Sequence, residues 1–504
     1  MNIKVLAFLI AAIGLIGALF VGSVIGGSNY LPILIGLGVL LFWCFFAFFG
    51  PGATIEAKLL AVLLFGYTTF QRMFADIHFR QQIYIGEIAL AIILLLVMAR
   101  VAFRKGKAVP PISLTVPIML LLVFGTLRFL LVDVGEYGML AARDFATVYY
   151  MLFYFIGYTV GSEPVSARLV KKIFRYGVVL YIIMIWILRI IAKGGVLYDI
   201  RIYLGTRDMA VIVPAVGCLL CVLYSTYPKR RLWLLGIAII PLVLLLVNLE
   251  RSSYLAFTVG LLILTYAGSR NMTVFAAKLF AGIVLIAISV IGLSVYSQVS
   301  HNYVLEPIVE KVTHIVDIDA IRTRHSAVAG STDTSAEESN RWRTTWWHVV
   351  YRDTMAKSPI FGLGFGYDLT RKFIREFYAD RGGEETARNP HNILFTFLGR
   401  TGLLGMAFFS FFIWLFFRRV LSIARAVRRG NRPLNDIELW LIDLVILIVA
   451  LFSHTLEGPM ASIPFWSFLG IAVAYEVRLK SADAVEHRQI ATQTTSPGTL
   501  AGRR

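Results

Sequence analysis

The sequence predicts an all-α polytopic membrane protein of about 14 transmembrane helices, with one large helical loop outside the bilayer. Three observations lead there. Of the 504 residues, 58% are hydrophobic and only 15% charged, whereas a soluble domain carries about a quarter charged. Mean hydropathy is +0.75. Apolar runs of about 20 residues, the length a bilayer core requires, recur along the chain.

Those runs fall near 4–26, 30–50, 57–71, 84–103, 111–132, 142–161, 175–192, 208–226, 232–249, 252–268, 276–297, 391–417, 436–453 and 459–477. Met1 to Phe20 has the form of a signal sequence. It lacks a persuasive cleavage site and a second span follows at once, so it reads as the first helix. Cys44, Cys218 and Cys221 all lie inside apolar runs and read as small hydrophobes in helix packing.

The net charge of +18 is a consequence of topology. With the N-terminus inside, Arg100/Arg104/Lys105/Lys107, Arg168/Lys171/Lys172/Arg175, Lys229/Arg230/Arg231 and Arg418 to Arg432 fall on one side. That is the cytoplasmic side by the positive-inside rule, and it removes the case for nucleic acid. The expected organisation is 1–297 as helices 1–11, 298–390 as a periplasmic subdomain, 391–477 as helices 12–14, and 478–504 as a disordered cytoplasmic tail.

The loop 298–390 is too long for a structureless connection. Its 12 Lys/Arg and 13 Asp/Glu nearly balance. Residues 322–340 read as flexible. Arg341–Lys357, with Trp342, Trp346 and Trp347, reads as a helix, and 368–378 as a second, amphipathic one. Pro359-Ile360-Phe361-Gly362-Leu363-Gly364-Phe365-Gly366 reads as a helix stop and tight turn.

Outward-facing groups that can carry chemistry cluster in three places. Arg251 lies at the mouth between two spans. Arg341 and Arg343 precede a helix, where a guanidinium fork suits a phosphate. Asn389-Pro390-His391-Asn392 comes just before a span, which puts His391 in that helix's first turn. The helix N-terminus disfavours a charged imidazole there, and a neutral one can act as a base. Gly399, Gly402 and Gly405 roughly share a face and permit close packing. Arg400, about two turns past His391, should face protein or water, and it is counted with Arg201 among the expected substrate contacts. Arg201 and Arg207 precede the eighth span, and Arg143-Asp144 reads as pairing with neighbouring helices. No P-loop is present, and no acidic pair has metal spacing, so neither a metal nor another cofactor is expected. Arginines can neutralise a lipid-linked diphosphate, while Trp342, Trp346 and Tyr378 suit sugar faces and Asn392 a polar contact.

Taken in order, Glu250-Arg251-Ser252-Ser253, Ser339-Asn340-Arg341 with Trp346, the 359–366 turn, Asn389-Pro390-His391-Asn392 and Gly402-Leu403-Leu404-Gly405 resemble the O-antigen ligase/polymerase superfamily. The ordered match runs roughly from 200 to 416. The resemblance implies a GT-C-like fold. It also implies inverting, metal-free glycosyl transfer from an undecaprenyl-diphosphate carrier at the periplasmic face of the bacterial inner membrane. It assigns Arg251 and Arg341 to the diphosphate and His391 to the acceptor, with Arg343 and Arg207 assisting. Many ligases carry an acidic residue where Arg400 stands, so this chain departs from the pattern there. The span count and loop length favour a polymerase of O-antigen or exopolysaccharide repeat units, working with a chain-length regulator. A ligase using lipid A-core as acceptor is the alternative. A flippase would place polar groups at mid-membrane in repeated halves; here they crowd at outer helix ends, which favours an enzyme.

Overall fold

The computed structural model describes residues 51–79, 83–104, 110–191, 209–230, 233–234, 241, 251–268, 336–377 and 390–495. Their elements are almost all helical. In chain order they are α1 (Ile55–Ala75), the two-residue strands β1 (His78–Phe79) and β2 (Ile83–Tyr84), α2 (Ile85–Arg104), α3 (Ile112–Arg128), and a π-helical turn Phe129–Asp133. Next come α4 (Val134–Tyr137), α5 (Met139–Asp144), α6 (Ala146–Tyr149), α7 (Leu152–Gly161), α8 (Pro164–Ile191), α9 (Met209–Thr226) and α10 (Arg251–Ala267). The loop contributes α11 (Ala336–Lys357) and α12 (Arg371–Phe377), and the chain ends in α13 (Ile393–Arg428), α14 (Glu438–Ala450) and α15 (Pro459–Thr495).

Among the described residues four helices are long and apolar enough to cross a membrane: Ile85–Phe103, Ser113–Tyr137, Ile393–Arg428 and Pro459–Ser481. Val211–Thr226 and Ser252–Ala267 are shorter apolar helices. The runs at 4–26, 30–50 and 276–297, and most of 232–249, lie outside the described residues. The lipid-facing character is visible in side chains. Ile88, Ile92, Leu95, Met98 and Val101 form an exposed apolar stripe on α2, and Val116, Met119, Leu120, Val123 and Leu127 do so on α3. Such stripes are unfavourable in water and suit hydrocarbon. The chain is a membrane protein.

Contacts divide it into two compact units: Met1–Phe79, Ile83–Ala108 and Thr159–Thr206 form one, and Arg80–Gln82, Val109–Tyr158 and Arg207–Arg504 the other. In the first, α1 packs along α8. Thr54 caps α1 by accepting from the Ala57 amide at 3.3 Å, and its own amide donates to Ser166 Oγ at 3.2 Å. Arg100 forms ion pairs with Glu56 and Glu163, so one of the arginines that the positive-inside reading assigns to the cytoplasm is tied to acids within its unit. Arg72 pairs with Asp76 at 3.4 Å.

The second unit holds the candidate site. Here the structure departs from the even rhythm of spans that hydropathy suggests. The connection expected at 133–141 is wound into α4 and α5, and the span expected at 142–161 is divided among α5, α6 and α7. The chain breaks at Gly138 (φ +55°), and Asp133 and Asp144 on either side of that break bind the 359–366 turn. Deeper in the unit, Gly157 and Gly470 bring α7 and α15 into backbone contact, since a Cβ on either would overlap the other helix. The thiols of Cys218 and Cys221 are free and buried, as expected of packing residues.

Helix directions fix which ends coincide. The Arg428 guanidinium lies 4.8 Å from the Tyr266 ring, so α10 and α13 run in the same sense. A Cβ on Gly260 would stand 3.6 Å from Val445, which sets α10 beside α14. Nine residues back from Gly260 is Arg251, and nine on from Val445 is His454. Helix α14 ends at Ala450, so Arg251, about 13 Å from Gly260 at 1.5 Å per helical residue, and the turn that carries His454 both lie toward the same end of the bundle, which is the end where α13 begins after His391.

Candidate functional site

The site is assembled where α13 begins, and two sets of side chains build it. The deeper set is a clamp around a helix break. Gly402 interrupts α13 with φ +70°, a conformation that L side chains rarely adopt. A break inside an apolar helix strands backbone groups that lipid cannot satisfy. The 359–366 turn satisfies them. The amides of Leu363 and Gly364 donate to the carbonyls of Gly399 (2.7 Å) and Arg400 (3.2 Å), and the amides of Leu403 and Leu404 donate to Pro359 (2.8 Å) and Ile360 (3.2 Å). A Cβ on Gly362 would collide with the Thr401 and Gly402 amides, and one on Gly402 with the Ile360 carbonyl. The glycines therefore serve a loop-to-helix approach, where sequence spacing had suggested helix-to-helix packing.

Charges lock this arrangement. Asp133 Oδ2 accepts from Arg128 Nε at 3.2 Å and from the Phe365 amide at 2.9 Å. The π-helical turn widens the chain between them, so residues five apart face one another. Arg128 also donates to the Phe361 carbonyl. Asp144 Oδ2 accepts from the Gly366 amide at 3.0 Å and pairs with Arg400 at 2.8 Å. Arg400, 2% exposed, donates further to the carbonyls of Gly364 (3.2 Å) and Tyr367. The guanidinium expected to meet substrate is thus engaged within the protein on three acceptors.

The shallower set surrounds His391. Helix α13 begins at Ile393, with Asn392 as its cap: Asn392 Oδ1 accepts from the Leu394 (2.9 Å) and Phe395 (3.4 Å) amides. His391 therefore precedes the helix, where the sequence had placed it in the first turn. Its φ is +52°, in the left-handed region that His visits more often than most residues. Trp347 Nε1 donates to the Pro390 carbonyl at 2.7 Å and anchors the preceding residue to α11. Trp342 meets the His391 ring edge-on at 5.3 Å, Trp346 lies 5.8 Å away, and His454 packs at 4.6 Å. His391 and His454 are both only partly buried, so reactants can reach them.

The loop subdomain around Trp346 has its own core of Val349, Val350, Leu363, Leu369, Phe373 and Ile374, with Trp342 and Tyr367 against it. Trp346 is fully buried, stacks on Phe373 at 4.9 Å and donates to the Leu369 carbonyl at 3.1 Å. Its faces are occupied by protein. Trp342 Nε1 is buried and has no hydrogen-bond partner among the described residues, which leaves a donor beside His391. On α11, outside the four candidate spans, Asp353 accepts from Tyr367 Oη at 2.8 Å and from Lys372, with Lys357 at 3.5 Å. Burial pushes its carboxyl up. The hydrogen bonds from Lys372 and Tyr367 and the nearby lysine charges outweigh this and hold it below the usual carboxylate range.

Of the expected residues, the structure brings together His391, Trp342, Trp346 and Asn392. Arg341, exposed, and Arg343 flank Trp342 on α11. Arg251 opens α10 at the same end of the bundle. Arg201, Arg207 and Tyr378 lie outside the described residues. Sequence reading missed His454, Glu457 and Asp133. The segment 454–458 reads as a plain connection, although His454 follows a span much as His391 precedes one. Glu457 accepts from Thr396 Oγ1 and ties that connection to α13. Among the described residues no group of three or more His, Cys, Asp and Glu side chains is arranged to hold a metal ion.

No curated protein matches this sequence. A family match covers Arg251, α11, the 359–366 turn, His391 and the broken helix, and stops short of His454. Residues 236–410 match the family described as O-antigen ligase, a match over about a third of the chain that supports the resemblance to the O-antigen ligase/polymerase superfamily.

Proposed function

We propose that the protein is a glycosyltransferase that extends a surface polysaccharide, O-antigen or exopolysaccharide, from undecaprenyl-diphosphate-linked repeat units at the periplasmic face of the inner membrane. The observation that carries this reading is the half-exposed His391, held by indole rings at the mouth of a broken helix, inside the stretch that matches the O-antigen ligase family. The prenyl tail of the donor lies in hydrocarbon while its diphosphate head reaches the level of Arg251 and Arg341. Those guanidinium groups neutralise the charge that develops on the leaving diphosphate. His391 takes the proton of the acceptor hydroxyl as that oxygen bonds to the anomeric carbon. The bond from that carbon to the carrier phosphate breaks on the opposite face, the diphosphate leaves with the electron pair, and the configuration inverts. No metal enters this scheme.

The testing experiment incubates purified protein with a carrier-linked repeat unit in the presence of EDTA and resolves the products by length. A ladder of longer chains on the carrier is expected. Product formed only when lipid A-core is added makes the protein a ligase, a reading favoured by the description of the matched family. No product with either acceptor contradicts both.

A further inference from the structure

The His391 imidazole does not stand alone. We propose that His454 is its positioning partner, holding the His391 ring in orientation and setting the protonation state in which it receives the acceptor's proton. This rests on the glycosyl-transfer reading above and names a residue beyond the stretch that matches the family.

Three observations carry it. The two imidazole rings are 4.6 Å apart between centroids and inclined by 66°, and the indoles of Trp342 and Trp346 also meet His391. His454 therefore brings titratable nitrogens to a cluster in which the indoles of Trp342 and Trp346 do not titrate. Secondly, the pair is fixed from both sides. Pro390 is held by Trp347, Asn392 caps α13, and the turn carrying His454 is tied to α13 by the Thr396–Glu457 hydrogen bond. Thirdly, His391 keeps a left-handed φ, a conformation that costs energy unless the surroundings require it. It directs the ring into this cluster.

Two imidazoles this close cannot both carry a proton without repulsion, so they titrate as a coupled pair. The packed elements carry other charged or titratable groups, among them His348, Arg352, Asp353 and Lys357 further along α11. Glu457 sits on the same turn, and Arg341 and Arg343 flank Trp342. Arg143 and Asp144 precede α6, with Asp144 bound to Arg400. Asp443 lies deep in α14, and α15 brings no charged side chain before Glu476. His391 stays neutral, and so able to accept a proton, to the extent that His454 shares the pair's positive charge.

The test is a pH titration of the imidazole resonances in full-length protein with labelled histidine, for wild type, His454→Gln and His391→Gln. In wild type the pair should titrate in two steps separated by about one unit or more. In His454→Gln, His391 should titrate in one step at higher pH, and the acid limb of the transfer rate should move with it. An unchanged His391 titration in His454→Gln overturns the proposal. Should that variant fail to fold, the same coupling is read at His454 in His391→Gln, where an unchanged curve is equally fatal. Coupled titration in a wild-type protein that transfers no glycan would leave the pair standing and remove the transfer reading.

Discussion

Two regions, one just before α13 and one within it about three turns further on, use charge in opposite ways. Around Gly402 the charges are buried and paired: Arg400 on Asp144, Arg128 on Asp133, with loop amides and carbonyls on most of the remaining groups and Asp133 Oδ1 left without a hydrogen bond among the described residues. Around His391 the polar groups are partly exposed, rest against aromatic rings, and include a buried indole donor with no partner among the described residues. A largely engaged polar network specifies a shape. A half-exposed one leaves its chemistry available to a ligand. The first region holds the second in place, and it does so through the helix break that the 359–366 turn repairs.

That division can be broken at either end. The largest effect is expected from Arg400→Ala. It leaves Asp144 charged and buried without its cation, a loss of about 3–5 kcal/mol, and it should appear as loss of folded protein on size-exclusion chromatography. His391→Ala should lower transfer by about 10²–10⁴-fold while the melting temperature stays near that of wild type. Gly402→Ala forces a side chain into left-handed backbone against Ile360. A cost of about 1–3 kcal/mol should be read as a lower melting temperature with proportionate loss of activity. Arg251→Lys replaces a planar fork by a point charge; the expected result is a clear fall in turnover at unchanged stability, and wild-type turnover would make that residue structural. The smallest effect concerns pH. Because the folded-state pKa of Asp353 is depressed, its stabilisation is present at neutral pH and is lost as pH falls through the folded value, below the usual carboxylate range. The order of α11 and α12, followed by limited proteolysis, should survive mild acid in wild type and be weaker in Asp353→Asn at neutral pH.

Much of this was legible in the residues. Apolar runs located the helices because each must bury or expose hydrocarbon along its whole length, and the three tryptophans announced a folded loop. Asp144 pairs with a neighbouring helix as its sequence setting suggested, whereas Arg400, also expected among the substrate contacts, is bound by protein. What local pattern could not supply was the pairing across long sequence separations. The approach of Gly362 to Gly402 and of Asp133 to Phe365 depends on tertiary folding, so a triplet of glycines looked like a helix-packing face. Hydropathy likewise could not show that 129–161 would leave a regular span, with two carboxylates on either side of the Gly138 break binding a turn more than 200 positions away. His454 was missed for the same reason. Nothing near it in the chain signals a partner 63 positions earlier.

The account's central claim is that the partly exposed histidine rim performs transfer while the buried clamp supplies only its geometry. It is tested most directly by comparing wild type and His391→Ala in the carrier-linked transfer reaction at equal amounts of folded protein. A product ladder from wild type and none from the variant, with matching melting curves, is the predicted result. A ladder of undiminished length from His391→Ala would contradict it.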